Sequence, residues 1–490
     1  MKSTKWFWLW AGAALVAGLL VRIWFIRHMA MVIGDSLLYG DIAKNLLQHG
    51  VYGFSQGSTP PDEFGISPTL IRLPGYPLFL AACFRLFGME HYNAVLYTQA
   101  AADLVTCCLA GALAWRLFGK RAALAVLWLA ALCPFTASYV GTALSETLVL
   151  TTIALAFYGF ARWQDEGLGY NRWLWIVAAA LAWSILLRPE QVLLAAAVLA
   201  AMLWVSLAVG RSAGTMRSGL PILAAALCVL LPLIPWTARN WRTFHVFQPL
   251  VPKYANDPGE VEPLGFGRWY RTWAAEFAAT ETVYWNYPGD HIDFADLPPR
   301  AFDLGSPPAS EDLRDRTQAL IADYNASISD TQEVSPEIDA RFEVLGEERI
   351  RAHPVLYYIV LPIARVVDMT LRPRTEMMDA PLDWWNWWQY RGQSTFATAY
   401  AALNLAYIGL GVAGFLAWKR RAWRSPNSLA YRELAVAMAA SLILRAALLL
   451  TIDNSEPRYT LEFFPVLFVW AGGLFAAPIP SSATQEPGRG

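Results

Sequence analysis

Residues 33–47 read Ile33-Gly34-Asp35-Ser36-Leu37-Leu38-Tyr39-Gly40-Asp41-Ile42-Ala43-Lys44-Asn45-Leu46-Leu47, directly after the first apolar run, 6–26. That run has about the 20 residues a bilayer crossing needs. Beyond Asp35, apolar residues return every fourth position, as Leu38, Ile42, Leu46 and as Tyr39, Ala43, Leu47. The spacing predicts an amphipathic helix lying on the bilayer surface. An acid held between a span and an interfacial helix stands where membrane-borne and water-borne reactants meet, so Asp35 is the candidate general base. An Asp ahead of an apolar-periodic run also serves as a helix N-cap, and that structural role is the alternative.

Outward from this stretch, composition sets the class. Of 490 residues, 56% are hydrophobic and 16% charged; with so many long apolar runs the chain is an all-α polytopic membrane protein. A net charge of −1 without a long Lys/Arg block argues against a nucleic-acid partner. The 23 Trp and 20 Tyr suit broad membrane interfaces. Cys83, Cys107, Cys108, Cys133 and Cys228 lie in apolar stretches without ligand spacing, so they read as small buried hydrophobes. No divalent metal site is supported.

The first run follows a basic start, Met1-Lys2-Ser3-Thr4-Lys5, with no small-residue cleavage site, and reads as a retained span with a cytoplasmic N-terminus. Further spans fall at 93–117, 121–142, 145–162, 172–187, 189–209, 219–237, 395–418, 431–451 and 460–478. The loops holding Arg116/Lys120/Arg121, Arg162/Arg172, Arg211/Arg217 and Lys419/Arg420/Arg421/Arg424 are then all cytoplasmic, as the positive-inside rule requires. The last of these needs 238–394 to begin and end outside. Segment 354–371, with Pro362, Arg365 and Asp368, is therefore an interfacial or re-entrant helix, or half of a hairpin completed by 381–390. Trp384, Trp385, Trp387 and Trp388 favour the interface. Ten spans result, or twelve with the hairpin.

The chain divides accordingly. A transmembrane core, 1–237, carries the site on its first outer loop, 28–91. An extracytoplasmic region, 238–352, has polar helical patterns near 268–285, 310–328 and 336–352, and the size of a small cap without a large core of its own. Interfacial or re-entrant helices, 353–394, lead to transmembrane helices at 395–478 and a disordered tail, 479–490.

Other ionisable residues stand out by position. Glu146 opens a span from the outer side, where Ser145 as N-cap and an acid in the first turn also suit plain helix physics. Asp103 lies inside the second span, on the same face as Gln99, at a depth where a charge needs a partner or a wet cavity. Arg445 is its counterpart in 431–451. Arg188 and Arg239 sit at outer span ends, against the usual charge bias. Arginines gathered there call for an anion such as a lipid phosphate, which a guanidinium grips bidentately. Snorkelling, or pairing with Asp103 and Glu190, is the alternative.

Several short motifs fall in a fixed order: Asp35 and Tyr39; Arg72-Leu73-Pro74-Gly75-Tyr76-Pro77; Ser145-Glu146-Thr147-Leu148; Arg188-Pro189; Pro235-Trp236-Thr237-Ala238-Arg239-Asn240; Glu456-Pro457-Arg458-Tyr459. On these the chain resembles the GT-C superfamily of membrane glycosyltransferases. It is most similar to the family 39 branch, related to protein mannosyltransferases and lipid A aminoarabinose transferases. Many relatives carry Asp-Glu where this chain has Asp35-Ser36.

The resemblance implies a GT-C-like bundle of about ten to twelve transmembrane helices with outer interfacial helices. It implies an inverting transfer of a sugar from a polyprenyl-phosphate donor to a hydroxyl of a glycan, lipid or protein acceptor. The reaction would run at the outer face of the cytoplasmic membrane, with no cofactor beyond the donor. Asp35 and Glu146 are the expected catalytic residues. Arg239, Arg458, Arg72, Lys253 and Arg445 are expected at the donor phosphate, and Tyr39, Asp103 and Tyr459 at the acceptor or orienting the others. The rival reading is a lipid or solute transporter with an Asp103/Arg445 intramembrane charge pair. A third is an assembly scaffold with a decayed site.

Overall fold

The computed structural model describes residues 2–57, 59–213, 219–260, 262–331, 334–378, 380–422 and 432–476. The expected tail, 479–490, and most of the basic clusters at 211–217 and 419–424 lie outside these or outside the described side chains. Helix α1, Lys2–His28, packs against α4, Tyr92–Phe118, and α5, Lys120–Ala131. Close approach needs small residues: a Cβ on Gly18 would sit 3.0 Å from that of Ala131.

Between α1 and α4 run α2, Asp35–His49, the two-residue strands β1, Gly53–Phe54, and β2, Ser67–Pro68, and α3, Gly75–Phe87. The strands pair antiparallel, Gly53 opposite Pro68. Helix α2 buries Ile42 and Ala43 and leaves Leu37 and Leu38 outward. The predicted span 121–142 is broken: Pro134 starts α6, Pro134–Ser138, which with the following turn bends 43° from α5.

The bundle continues with α7, Glu146–Asp165, α8, Arg172–Leu187, α9, Val192–Ala213, α10, Leu220–Leu230, and α11, Leu233–Phe244. Asn171 starts α8 by accepting the N–H groups of Trp173 and Leu174. Among the described residues each of the ten predicted segments is built mainly of helix. Yet among the described residues only five helices are long and apolar enough to cross a bilayer alone, or seven if two bent pairs count as spans. Helix α8 has 16 residues, about 24 Å at 1.5 Å per residue, and the last predicted segment is one short helix set between 3₁₀ turns.

The region expected outside, 238–352, holds α12, Leu264–Arg271, α13, Phe277–Ala279, α14, Pro307–Thr331, and α15, Pro336–Ala352. It buries a compact aromatic core of Phe266, Trp269, Tyr270, Trp273, Tyr287, Tyr324 and Phe342. Asp339 anchors α12, accepting the N–H groups of Gly265 and Phe266 at 2.7 and 2.9 Å, an anion at a helix N-terminus.

Leaving α15 the chain turns through 102° into 356–371, whose last part is α16, Leu361–Leu371. This arm shows Tyr358, Ile359, Ile363 and Val367 outward while burying Arg365 and Met369. Trp388, in the segment that follows, is 99% exposed. Helix α17, Arg391–Ala422, α18, Arg432–Leu449, and α19, Phe464–Ala471, complete the bundle. The cap is tied to it where Asp368 accepts the N–H of Phe277 and Thr280 donates to the Ser455 carbonyl.

Candidate active site

Gly34, at φ 52°, caps α2, so Asp35 falls in the first helical turn and no side chain caps that end. The Asp35 carboxylate is thereby free for other partners. Arg72, on the loop ahead of α3, donates from Nη2 to its Oδ1 at 2.8 Å, and Arg458 from Nη1 to its Oδ2 at 3.2 Å. Burial alone would raise the Asp35 pKa, but the two guanidinium groups outweigh it and hold it at about 2.

Glu146, in the first turn of α7, accepts from Arg188 Nη2 at 2.8 Å and stands 3.9 Å from Arg458 Nη1. Arg188 reaches it because Pro189 forces the preceding residue out of the helical region, to φ −148° and ψ 123°, swinging its side chain off the end of α8. Arg458 also contacts Glu456. Burial pushes the Glu456 carboxyl up while Arg458 pulls it down, and the rise prevails.

These groups line one cavity of about 470 Å³, with Tyr39, Lys253, Glu190, Tyr459 and the cap residues Tyr284 and Trp285. Burial pushes the phenols of Tyr39 and Tyr459 up, so both stay neutral hydrogen-bond donors. The Lys253 ammonium lies 2.9 Å from the Tyr254 hydroxyl and, among the described residues, has no carboxylate within 4 Å. Each arginine of the cavity wall is already paired with an acid.

Three predicted site residues lie elsewhere. Asp103 pairs with Arg22 of α1, Nε to Oδ2 at 2.8 Å, and not with Arg445. The nearest cation at its depth is one helix away, and both groups are buried. Arg445 instead meets Glu190 at 3.1 Å and Glu462 at 3.2 Å, behind the cavity wall. The intramembrane pair on which the transporter reading rested is therefore not formed. Arg239 gives its Nη1 to the Thr69 carbonyl and its Nη2 to that of Tyr52, both at 2.6 Å, among the rings of Tyr52, Trp236 and Phe244. Carbonyls of the segment between α2 and α3 satisfy it, so it staples that segment to α11 and is not on the cavity wall.

Sequence reasoning passed over Glu456 and Glu190 as site members, although both stand inside or beside quoted motifs, and it raised Arg188 only among the arginines that call for an anion. It had no signal for Glu462 or Arg374. Among the described residues no group of three or more His, Cys, Asp or Glu is placed to hold a metal ion.

Residues 68–238 match the family model described as dolichyl-phosphate-mannose-protein mannosyltransferase. That segment holds Arg72, Glu146 and Arg188 of the cavity wall. The match covers about a third of the chain. No curated protein sequence matches the chain. Among solved structures, apo ArnT from Cupriavidus metallidurans is similar at 18% identity and a TM-score of 0.38, over 93% of this chain and 78% of that one. ArnT bound to undecaprenyl phosphate is similar at 16% identity and 0.39, over 96% and 78%. The Archaeoglobus fulgidus oligosaccharyltransferase tethered to an acceptor peptide is similar at 12% identity and 0.48; this chain spans 49% of that enzyme's length. These are loose overlaps.

Proposed function

We propose that this protein is a GT-C glycosyltransferase that moves a sugar from a polyprenyl-phosphate donor to an acceptor hydroxyl, with inversion, at the outer face of the cytoplasmic membrane. The observation that carries the reading is the convergence of Asp35, Arg72, Glu146, Arg188, Arg458 and Lys253 on one cavity where the bundle meets the cap. The resemblance stated above and the charge alternation of the loops support the donor class and the side of the membrane.

The chemistry follows from the charge inventory. The acceptor oxygen forms a bond to the anomeric carbon as the bond from that carbon to the phosphate oxygen breaks. The lipid phosphate leaves with the electron pair, and the acceptor proton goes to Asp35. A single displacement inverts the configuration. The departing phosphate needs charge stabilisation more than a proton. Lys253 offers an uncommitted ammonium, while Arg72 and Arg458 serve the phosphate only by loosening their hold on Asp35. That exchange makes Asp35 more basic when the donor is in place, since opposite charge is what depresses its pKa. Glu146, fixed by Arg188, stands ready to orient the acceptor or Arg458.

The test is turnover: purified protein in detergent, offered labelled polyprenyl-phosphate sugars, should release free polyprenyl phosphate and a glycosylated product of inverted configuration. Retained configuration would sink the single displacement, and a protein that consumes no such donor would sink the reading.

A further inference from the structure

Arg458 enters the cavity from a 3₁₀ turn, Pro457–Phe463, a geometry that holds poorly by itself. The carbonyls on either side of it are held from behind. Arg374 donates from Nη1 to the Pro457 carbonyl at 2.9 Å and also contacts the Thr460 hydroxyl. Arg445, from α18, donates from Nε and Nη2 to the Tyr459 carbonyl at 3.2 and 3.1 Å. Both are buried, at 4% and 6% exposure, and neither lines the cavity.

Their other partners fix their own aim. Asn404 accepts from Arg374 Nε at 3.3 Å, and among the described residues no carboxylate lies within 4 Å of that guanidinium. Glu190 and Glu462 hold Arg445, and the same two acids stand 3.6 and 3.3 Å from Arg188. Burying two arginines is expensive, and each spends part of its donor set on a carbonyl flanking Arg458. Apolar packing would close the turn at lower cost but would not set the direction of its side chain.

We propose that Arg374 and Arg445 are positioning residues that aim Arg458 at Asp35 and at the donor phosphate. This rests on the donor reading above. A guanidinium grips phosphate through paired N–H groups, so a shift of the turn breaks the fork without removing the charge. Loss of either support should weaken donor binding about 10–100-fold, the range seen for outer partners that orient metal ligands.

A double-mutant cycle separates aiming from general support, with the full-length protein in detergent and undecaprenyl phosphate as probe. Arg445→Lys keeps a charge between Glu190 and Glu462 but loses the fork on Tyr459; Arg374→Lys keeps a charge but cannot hold the Pro457 carbonyl, Thr460 and Asn404 in the same geometry. Each should lower affinity about tenfold or more in the wild-type background and change it less than about twofold in an Arg458→Ala background. Equal losses in both backgrounds would overturn the proposal, as would wild-type affinity in both lysine variants at an unchanged melting temperature. If Arg445→Lys does not fold, Glu462→Gln loosens Arg445 and completes the cycle with the same expected pattern. A wild type that binds no undecaprenyl phosphate overturns the donor reading and this inference together. A wild type that binds without coupling to Arg458 overturns this inference alone.

Discussion

Asp35 and Asp103 are both carboxylates set against arginine, and they do opposite things. Asp103 is 1% exposed, and its partner Arg22 also donates to the carbonyls of Gly18 and Ala131, at 2.8 and 2.7 Å. Every arm of Arg22 is taken, so the pair staples α1, α4 and α5 together and has nothing left for a ligand. Asp35 keeps 29% of its side-chain surface, faces a cavity, and shares each oxygen with an arginine from a different element. Both pairings satisfy charge. Only the one with room beside it has partners that an incoming anion can take over.

The sharpest way to break this contrast is Asp35→Asn. Asn keeps the size of the side chain and loses its basicity, and Gly34, not Asp35, caps α2. Transfer should fall by about 10²–10⁴, the usual worth of a positioned general base. Folding and undecaprenyl phosphate binding should persist. Wild-type turnover in this variant would move the base to Glu146.

The bundle pair predicts the reverse pattern. Arg22→Met leaves Asp103 buried and uncompensated, which should lower stability by about 3–5 kcal/mol. Turnover per folded molecule should stay near the wild-type value. Thermal unfolding and active-fraction measurements on the same sample read both quantities. A selective loss of turnover at unchanged stability would place Asp103 back among the functional residues.

A smaller effect distinguishes cations on the wall from cations behind it. Lys253→Ala should weaken undecaprenyl phosphate binding by roughly 1.5–3 kcal/mol, the scale of a hydrogen bond to a charged group. Arg239→Ala should leave that affinity within about twofold, because its donors go to the Thr69 and Tyr52 carbonyls. Equal losses from the two variants would mean that the segment between α2 and α3 moves to bring Arg239 to the phosphate.

The legible parts of the molecule are those with a period or a sharp local signal. Apolar runs marked every bundle helix, though not which were long enough to cross alone, because Pro134 and the length of α8 act through bending and packing. Asp35 was legible as an acid after a span, and Arg188 as a cation on the wrong side of one. The partner of Asp103 was not, since Arg22 lies 81 residues earlier inside an apolar run and only the packing of α1 on α4 brings them together. Arg239 and Arg445 share one explanation: charge bias shows that an arginine needs acceptors, but not whether they are a ligand, a carboxylate or a backbone carbonyl. The aromatic core of the cap was hidden because its rings come from segments that α13, α14 and the turns between them keep far apart in sequence.

The finest test of the contrast is the pH dependence of stability. The Asp35 pKa is held at about 2 in the folded protein, below its ordinary 3.8. A carboxyl lowered by folding contributes stability that is fully present above the unfolded value and is lost as pH falls through the folded one. The window is therefore about pH 4 down to about pH 2. At about 1.4 kcal/mol per unit the contribution is at most about 2.5 kcal/mol, and less for a side chain that solvent partly screens. Asp35→Asn has no such titration, and all other acids are common to both proteins. The difference in Tm between wild type and Asp35→Asn should stay flat from pH 7 to 5 and shrink, in the direction that disfavours the wild type, between about pH 4 and 2. A difference that stays constant down to pH 2 would mean that Arg72 and Arg458 do not hold Asp35 in solution, and the exchange of those arginines with a phosphate would lose its starting state.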